Sequence, residues 1–291
     1  MVAVRSNIIL LAAYAAFLCN SAFADCGSVA GYADINRDSK FAGLFVGDSI
    51  TEGEEDNYIA VINGQTKTYK DTGGFVIRLK EFFDGVSDDV RITQGAVSGY
   101  KCDQVYARLR DLIEKYTKQA KLFDFVFSKC GVNDYGGHRD SNKTRAKTQQ
   151  IKRYIRKHGM YPIIANLIPT ARSFQNPWVN AVNAKIKSIK NLELNSFFPL
   201  KLLDPDKIHP SAAGYDKLFE LLLAKIDAVF LDPADLAPIL SAAKADVDSD
   251  ADGLADRHEE FQYGTNPNLA DSDGDQVSDG DEACTGSDPL V

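Results

Sequence analysis

Apolar and polar positions divide the chain into short buried runs and longer amphipathic ones. Residues 41–46 (FAGLFV) are apolar without alternation, the pattern of a strand covered on both faces. Gly47 and Gly53 bracket a turn directly after it. Residues 73–83 place Val76, Leu79 and Phe82–Phe83 on one helical face, and 90–97 predict a second strand. A helix over 102–116 follows, through Val105, Leu109 and Leu112, and then a buried strand over 122–128 (LFDFVFS). Residues 143–158 predict a basic, mostly exposed helix, 162–168 a strand and 180–189 a helix. Residues 197–203 predict the fifth strand and 211–230 the final helix. This alternation predicts an α/β fold: a three-layer, doubly wound, five-stranded parallel sheet with helices on both faces. In such sheets ligands bind at the carboxyl ends of the strands, near the point where strand order reverses.

The pattern changes at both ends of the 291-residue chain. Residues 1–24 combine Arg5, an apolar run from Ile8 to Leu18 and the small-x-small site Ala22-Phe23-Ala24, the three regions of a secretory signal peptide. That run is shorter than the roughly 20 residues of a membrane span, and no other stretch qualifies. The expectation is a secreted protein, extracellular or periplasmic, with no transmembrane segment. Residues 25–231 form the main domain, 232–245 a Pro- and Ala-containing linker, and 246–291 a separate module. Net charge of −8 conceals this division. Between Asp246 and Asp288 there are fourteen acids and one base, Arg257, which leaves the rest of the chain mildly basic. Its bases are scattered among acids, without the clustered stripe that nucleic-acid binding needs.

Four cysteines remain beyond the leader, Cys26, Cys102, Cys130 and Cys284, with no C-x-x-C spacing for zinc. They allow three pairings. Cys102 and Cys130 are expected at the same end of the sheet and form a candidate bridge, with buried thiols as the alternative.

Candidate chemistry begins at "GDSITEG", residues 47–53, where Ser49 follows the first strand. Alone, such a serine is an ordinary turn residue. Near the end of the main domain stands DPDKIHP, in which Asp206 and His209 are three apart and can face one way. A carboxylate so placed accepts the imidazole Nδ1–H and stabilises an imidazolium. GVND, residues 131–134, follows the third strand and offers the Asn133 amide to a developing oxyanion. AVSG, residues 96–99, offers a loop glycine N–H. Each of these blocks falls just after a strand.

In that order the blocks G-D-S, loop glycine, G-x-N-D and D-x-x-H resemble those of the SGNH (GDSL-type) hydrolase superfamily, over roughly residues 40–230. The resemblance implies a flavodoxin-like fold and a serine esterase, with Ser49 as nucleophile, His209 as general base and acid, and Asp206 as its orienter. It implies an oxyanion hole of the Ser49 N–H, the Gly99 N–H and the Asn133 side chain, and no cofactor for catalysis. Gly99 rather than Gly95 is carried over because it follows Ser98. Asp48 and Asp134 match positions that order their loops. Tyr100 departs from the small or acidic residue that often follows the glycine. An α/β-hydrolase elbow, G-x-S-x-G, is disfavoured because Thr51 occupies the second glycine's place. His138 is read as a solvated loop residue. Trp178 and Phe174 are candidates for the pocket wall or the core, and Cys130 lacks a histidine partner of its own.

The acidic module repeats itself. Asp248, Asp250, Asp252, Asp256 and Glu259 fall at positions 1, 3, 5, 9 and 12 of a loop, and Asp271, Asp273, Asp275, Asp279 and Glu282 repeat the offsets. Alternate carboxylates on a tight loop suit the six to eight oxygens of Ca²⁺. The apolar residue at position 7 and the closing G-T-N-P and G-S-D-P differ from an EF-hand and resemble bacterial thrombospondin type 3 repeats. That implies a structural, calcium-rigidified spacer or adhesion module contacting a cell surface or polysaccharide. Gln276 departs from the turn glycine. The expected activity is cleavage of short acyl esters, carbohydrate O-acetyl among them, with a lipase, lysophospholipase or thioesterase as the enzymatic alternative. An inert hydrolase fold serving calcium-dependent adhesion is the non-enzymatic alternative.

Overall fold

A computed structural model describes residues 28–29, 32–36, 38–137, 140–231, 249–252, 264–285 and 290 with its neighbour 289. The expected leader, the linker 232–245, Cys26, His138, Asp248, Asp256 and Glu259 lie outside the described residues. The chain divides into two compact units, Ala42–Lys225 and a second formed by Met1–Phe41 with Ile226–Val291.

Strand β1 (Phe41–Gly47) is buried at every position, which explains its unbroken apolar run. A single turn of helix, α1 (Ser49–Glu52), follows it, then a hairpin of β2 (Tyr58–Ile62) and β3 (Gln65–Tyr69). Helix α2 (Gly74–Asp84), β4 (Val90–Gln94), α3 (Cys102–Thr117), β5 (Phe125–Lys129), α4 (Ser141–Lys157) and β6 (Tyr161–Ile164) come next. Helices α5 (Asn176–Ile186) and α6 (Ala212–Phe230) follow, and a helix at Asp279–Thr285 lies in the acidic repeat. The main sheet runs β4-β1-β5-β6, with β1–β5 and β5–β6 paired in parallel.

The two faces of β1 enter different layers. Ala42, Leu44 and Val46 join Val105 and Leu109 of α3, Ile151 and Ile155 of α4 and Val182 of α5 in one core. On the other face, Phe45 packs on Phe75 of α2 and on Phe125 and Phe127 of β5, with ring centroids 6.4, 5.7 and 5.6 Å away. Helices α2 and α6 are tied by Phe82–Phe219 and by Arg78, whose guanidinium meets Asp216 at 2.6 Å and the buried Asp56 at 2.5 Å. Helices thus cover both faces of a parallel sheet.

The fifth strand is a correction. Among the described residues the main sheet has four strands, and at its outer edge a single parallel bridge, Ala165–Leu192, stands where a fifth would lie. Residues 197–203 form 3₁₀ turns at Asn195–Phe197 and Leu200–Leu202 instead. Pro199 lacks the N–H a ladder needs. Cys102 and Cys130 form a disulfide that joins the start of α3 to the residue after β5.

In the second unit, Tyr32 stacks on Phe41 at 4.9 Å and donates its hydroxyl to Asp227 at 2.7 Å. No helix among the described residues is long and apolar enough to cross a membrane.

Candidate active site

The end of β1 is a tight turn. A Cβ on Gly47 would lie 2.3 Å from Thr51 Oγ1 and 2.9 Å from the Lys129 carbonyl, so the close approach requires glycine. Asp48 caps α1, its carboxylate accepting the Ile50 N–H at 3.2 Å. Ser49 is the first residue of that turn.

The loop before α6 brings the other end of the chain to it. His209 Nε2 lies 2.8 Å from Ser49 Oγ, and His209 Nδ1 lies 2.7 Å from Asp206 Oδ2. The other oxygen of Asp206 accepts the N–H groups of Ile208 and His209, both at 2.9 Å. Burial pushes the Asp206 carboxyl up, but those two amides and the His209 ring outweigh it and hold it below the usual aspartate value. Asp206 therefore stays an anion facing Nδ1, which fixes Nδ1 as the protonated nitrogen and leaves Nε2 as acceptor from Ser49. Glu54 Oε2 stands 3.6 Å from the same Nε2.

The backbone amides of the serine turn and of the glycine loop are candidate donors to an anion. Among the described residues no group accepts from the Ser49 N–H or the Gly99 N–H. Gly99 has φ 75°, and a Cβ there would meet nothing within 4 Å, so backbone conformation rather than crowding calls for glycine. Gly95 is different: its N–H is spent on the Phe45 carbonyl at 2.8 Å, and a Cβ would strike Leu112. Asn133 donates one amide hydrogen to the Tyr100 carbonyl at 3.1 Å, which orients the side chain and, among the described residues, leaves its second hydrogen without an acceptor. The departure at position 100 thus involves a backbone carbonyl that any residue supplies.

Lys129, Gln94, Glu52 and Glu54 support the site without a sequence signal of their own. Lys129 Nζ is 2.9 Å from both oxygens of Asp48. The glycine loop is held to the Ser49 turn by Ser98, whose N–H meets Glu52 Oε2 at 2.6 Å and whose hydroxyl meets Glu54. Gln94 bridges the same two segments, donating to the Thr51 carbonyl at 2.8 Å and accepting from Ala96 N–H at 3.0 Å. Asp134 orders its loop by accepting from Cys102 N–H at 3.1 Å and the Thr144 hydroxyl at 2.7 Å. Cys130 is in the disulfide. Trp178 is a core residue that donates to the Gly131 carbonyl at 2.8 Å, whereas Phe174 is 59% exposed with Tyr135 beside it at 6.0 Å.

In the acidic repeat, carboxylate oxygens of Asp271, Asp273 and Asp275 lie within 4.8 Å of one another. Successive turns hold the loop: Asp271 accepts from Gly274 N–H and Gln276 N–H, and Asp273 and Asp275 accept from the amides two residues on. Asp279 gives its oxygens to Ser272, at 2.8 Å to the N–H and 2.6 Å to the hydroxyl. Glu282 is buried, and burial followed by the charges of Asp273, Asp275, Asp279 and Asp271 pushes its carboxyl up. This hard-oxygen donor set fits a divalent cation. Of the first repeat, Asp250 accepts from the Asp252 N–H at 3.4 Å, and Asp252 accepts from Gly280 N–H at 2.8 Å.

Among solved structures the chain is similar to the psychrotrophic esterase EstA from Pseudoalteromonas sp., at 14% identity over 64% of this chain and 97% of that one, TM-score 0.48. It is similar to a catalytic mutant of Axe2, an acetylxylan esterase from Geobacillus stearothermophilus, at 16% identity over 64% and 94%, TM-score 0.49. For the lipase/acylhydrolase from Enterococcus faecalis the figures are 18% identity over 65% and 97%, TM-score 0.49. No relative matches among curated proteins. The GDSL-like Lipase/Acylhydrolase family matches residues 45–217, a span that holds Ser49, Gly99, Asn133, Asp206 and His209. Matched over more than half its length, the chain belongs to the GDSL-like lipase/acylhydrolase family and is an esterase of that kind.

Proposed function

We propose that the protein is a secreted serine ester hydrolase that cleaves short acyl esters, carbohydrate O-acetyl groups among them, through an acyl-enzyme. The observation that carries the reaction is the continuous hydrogen-bonded chain from Ser49 Oγ through His209 to Asp206. As Ser49 Oγ attacks the ester carbonyl, its proton passes to His209 Nε2, and Asp206 stabilises the imidazolium from the Nδ1 side. The carbonyl oxygen becomes an oxyanion that accepts from Ser49 N–H, Gly99 N–H and the second amide hydrogen of Asn133. His209 returns the proton to the leaving alcohol. It then takes one from a water that attacks the acyl-enzyme and returns it to Ser49 Oγ as the acid leaves.

The leader-like residues 1–24 support secretion. The acidic repeat supports a module that binds Ca²⁺ through Asp271, Asp273 and Asp275, with Asp279 and Glu282 closing the loop. The first repeat, Asp248, Asp250, Asp252, Asp256 and Glu259, supports a second site. In this reading calcium stiffens a spacer of the thrombospondin type 3 kind that contacts a cell surface or polysaccharide. The cation takes no part in ester cleavage.

Ser49→Ala tests the mechanism. Hydrolysis of a soluble aryl acetate should fall by several orders of magnitude in a chain that keeps its circular dichroism spectrum. Undiminished turnover in a folded variant rules the mechanism out. Comparing aryl acetate with aryl octanoate tests the acyl preference, which a larger kcat/KM for the octanoate overturns.

A further inference from the structure

The turn that carries Asp206 and His209 adopts a conformation its own residues do not favour. Lys207 has φ 70°, in the left-handed region that side chains with a Cβ rarely adopt. Inside the turn, Lys207 N–H donates to the Asp204 carbonyl and Asp204 N–H to the His209 carbonyl, both at 2.8 Å. The hydrogen bonds to the carbonyls of residues 206 and 207 come from one short segment beyond β6. Thr170 Oγ1 donates to the Lys207 carbonyl at 2.8 Å, and Ala171 N–H donates to the same oxygen at 2.9 Å. Arg172 Nε donates to the Asp206 carbonyl at 2.9 Å. Its terminal nitrogen stands 3.6 Å from Asp206 Oδ2, the oxygen that faces His209 Nδ1.

These contacts fix what the catalytic geometry depends on. The two carbonyls belong to the peptide units before and after Lys207, so pinning both holds the left-handed residue and with it the Cα direction of Asp206. The guanidinium limits rotation of the carboxylate itself. The segment is in turn anchored: Thr170 is 2% exposed, its N–H meets Asn176 Oδ1 at 3.3 Å, and its hydroxyl oxygen accepts from Arg172 N–H at 3.0 Å. If the carboxylate swings by about 1 Å, the imidazole loses its orienting partner, and misplacements of that size cost roughly 10²-fold in rate.

We propose that Thr170 and Arg172 are positioning residues for ester cleavage, acting through Asp206 and Lys207 to hold His209 against Ser49. The inference rests on the catalytic roles proposed above for Ser49, Asp206 and His209. Neither residue is asked to touch substrate. Their removal should therefore change kcat and leave substrate binding alone.

The full-length chain carrying Arg172→Ala or Thr170→Val is compared with Arg172→Lys, Thr170→Ser and wild type. Two readouts are used: hydrolysis of a soluble aryl acetate, and the rate at which a fluorophosphonate probe labels Ser49. Arg172→Ala and Thr170→Val should lower kcat roughly 10- to 100-fold, leave KM within about two-fold and slow labelling by a similar factor. Thr170→Ser should restore both rates, and added guanidinium should recover part of the loss in Arg172→Ala, which a folding defect would not allow. Should Arg172→Ala fail to fold, Thr170→Val, which exchanges the hydroxyl for a methyl of similar size, decides. Folded variants with wild-type kcat and labelling overturn the proposal, as does a Thr170→Ser variant as impaired as Thr170→Val. A wild-type chain that neither labels nor hydrolyses the ester overturns the reading of Ser49 and the brace with it.

Discussion

Lys129 stands 2.9 Å from each carboxylate oxygen of Asp48, and the two side chains are 1% and 0% exposed. The pair links the end of β5 to the residue before Ser49, so two of the strands that deliver site residues are joined by a salt bridge shielded from water. Removing one partner leaves an uncompensated charge in a site with no solvent. Lys129→Ala should therefore destabilise the fold by about 3–5 kcal/mol. The double variant Lys129→Met/Asp48→Asn should lose much less than the sum of the single changes, because neither charge is stranded. Urea unfolding checks both, and a Lys129→Ala variant within about 1 kcal/mol of wild type would show that the pair is not a structural anchor.

Asn133→Ala should lower kcat by about 10²–10³ and leave KM nearly unchanged, since in the proposed mechanism the amide meets charge that is present mainly in the transition state. The bond from Asn133 to the Tyr100 carbonyl sharpens the expectation. With the side chain already oriented before substrate arrives, no ordering cost is left to appear in binding. Steady-state kinetics on the aryl acetate separates the two parameters, and an effect confined to KM assigns Asn133 to ground-state binding.

Asp204 should make stability depend on pH in an unusual direction. Burial, then the neighbouring charges of Asp206, Glu55 and Asp56, pushes its carboxyl above the ordinary aspartate value of 3.8. The native state therefore holds this proton more tightly than the unfolded chain does. The stability it contributes is complete below the ordinary value and is lost as pH rises through the raised native one. Asp204→Asn should match wild type in Tm at the acid end and exceed it increasingly towards neutral pH. A Tm difference that stays constant with pH contradicts this account.

What the sequence revealed and concealed follows from distance along the chain. Asp206 and His209 are legible because their partnership is local, and Asn133 because it follows a strand whose apolar pattern is plain; Gly99 is reached through the resemblance alone, since the strand before it, VRITQ, is only partly buried. Arg172 and Lys129 are not legible, because their partners lie 34 and 81 residues away and neither residue type announces burial. The β2–β3 hairpin escapes the reading of buried runs because Ile59 and Val61 face outward, although Asn63-Gly64 is a strong hairpin signal and both residues have positive φ. The fifth strand fails for the opposite reason. Phe197 and Leu200 are apolar but 57% and 50% exposed, so composition suggested a core strand where the chain makes surface turns around Pro199.

Gln276 gives the acidic loop a test of its own. The residue has φ 80°, a conformation suited to glycine, yet its N–H is needed to meet Asp271 at 2.9 Å. The loop that gathers Asp271, Asp273 and Asp275 is therefore formed against a local backbone cost of roughly 1–2 kcal/mol. Mutual repulsion of the three carboxylates adds to that cost until a cation neutralises it. If Ca²⁺ binding is coupled to closing this loop, Gln276→Gly should tighten binding by roughly ten-fold, the equivalent of about 1.4 kcal/mol. Asp273→Asn should weaken it, because it removes a charged ligand and leaves the turn intact. Calorimetric titration of the full-length chain with Ca²⁺ reads both effects. Chelation should expose residues 264–285 to protease while hydrolysis of the soluble ester continues. A chelator that stops turnover in a chain whose main domain remains folded would mean that the acidic repeat takes part in catalysis.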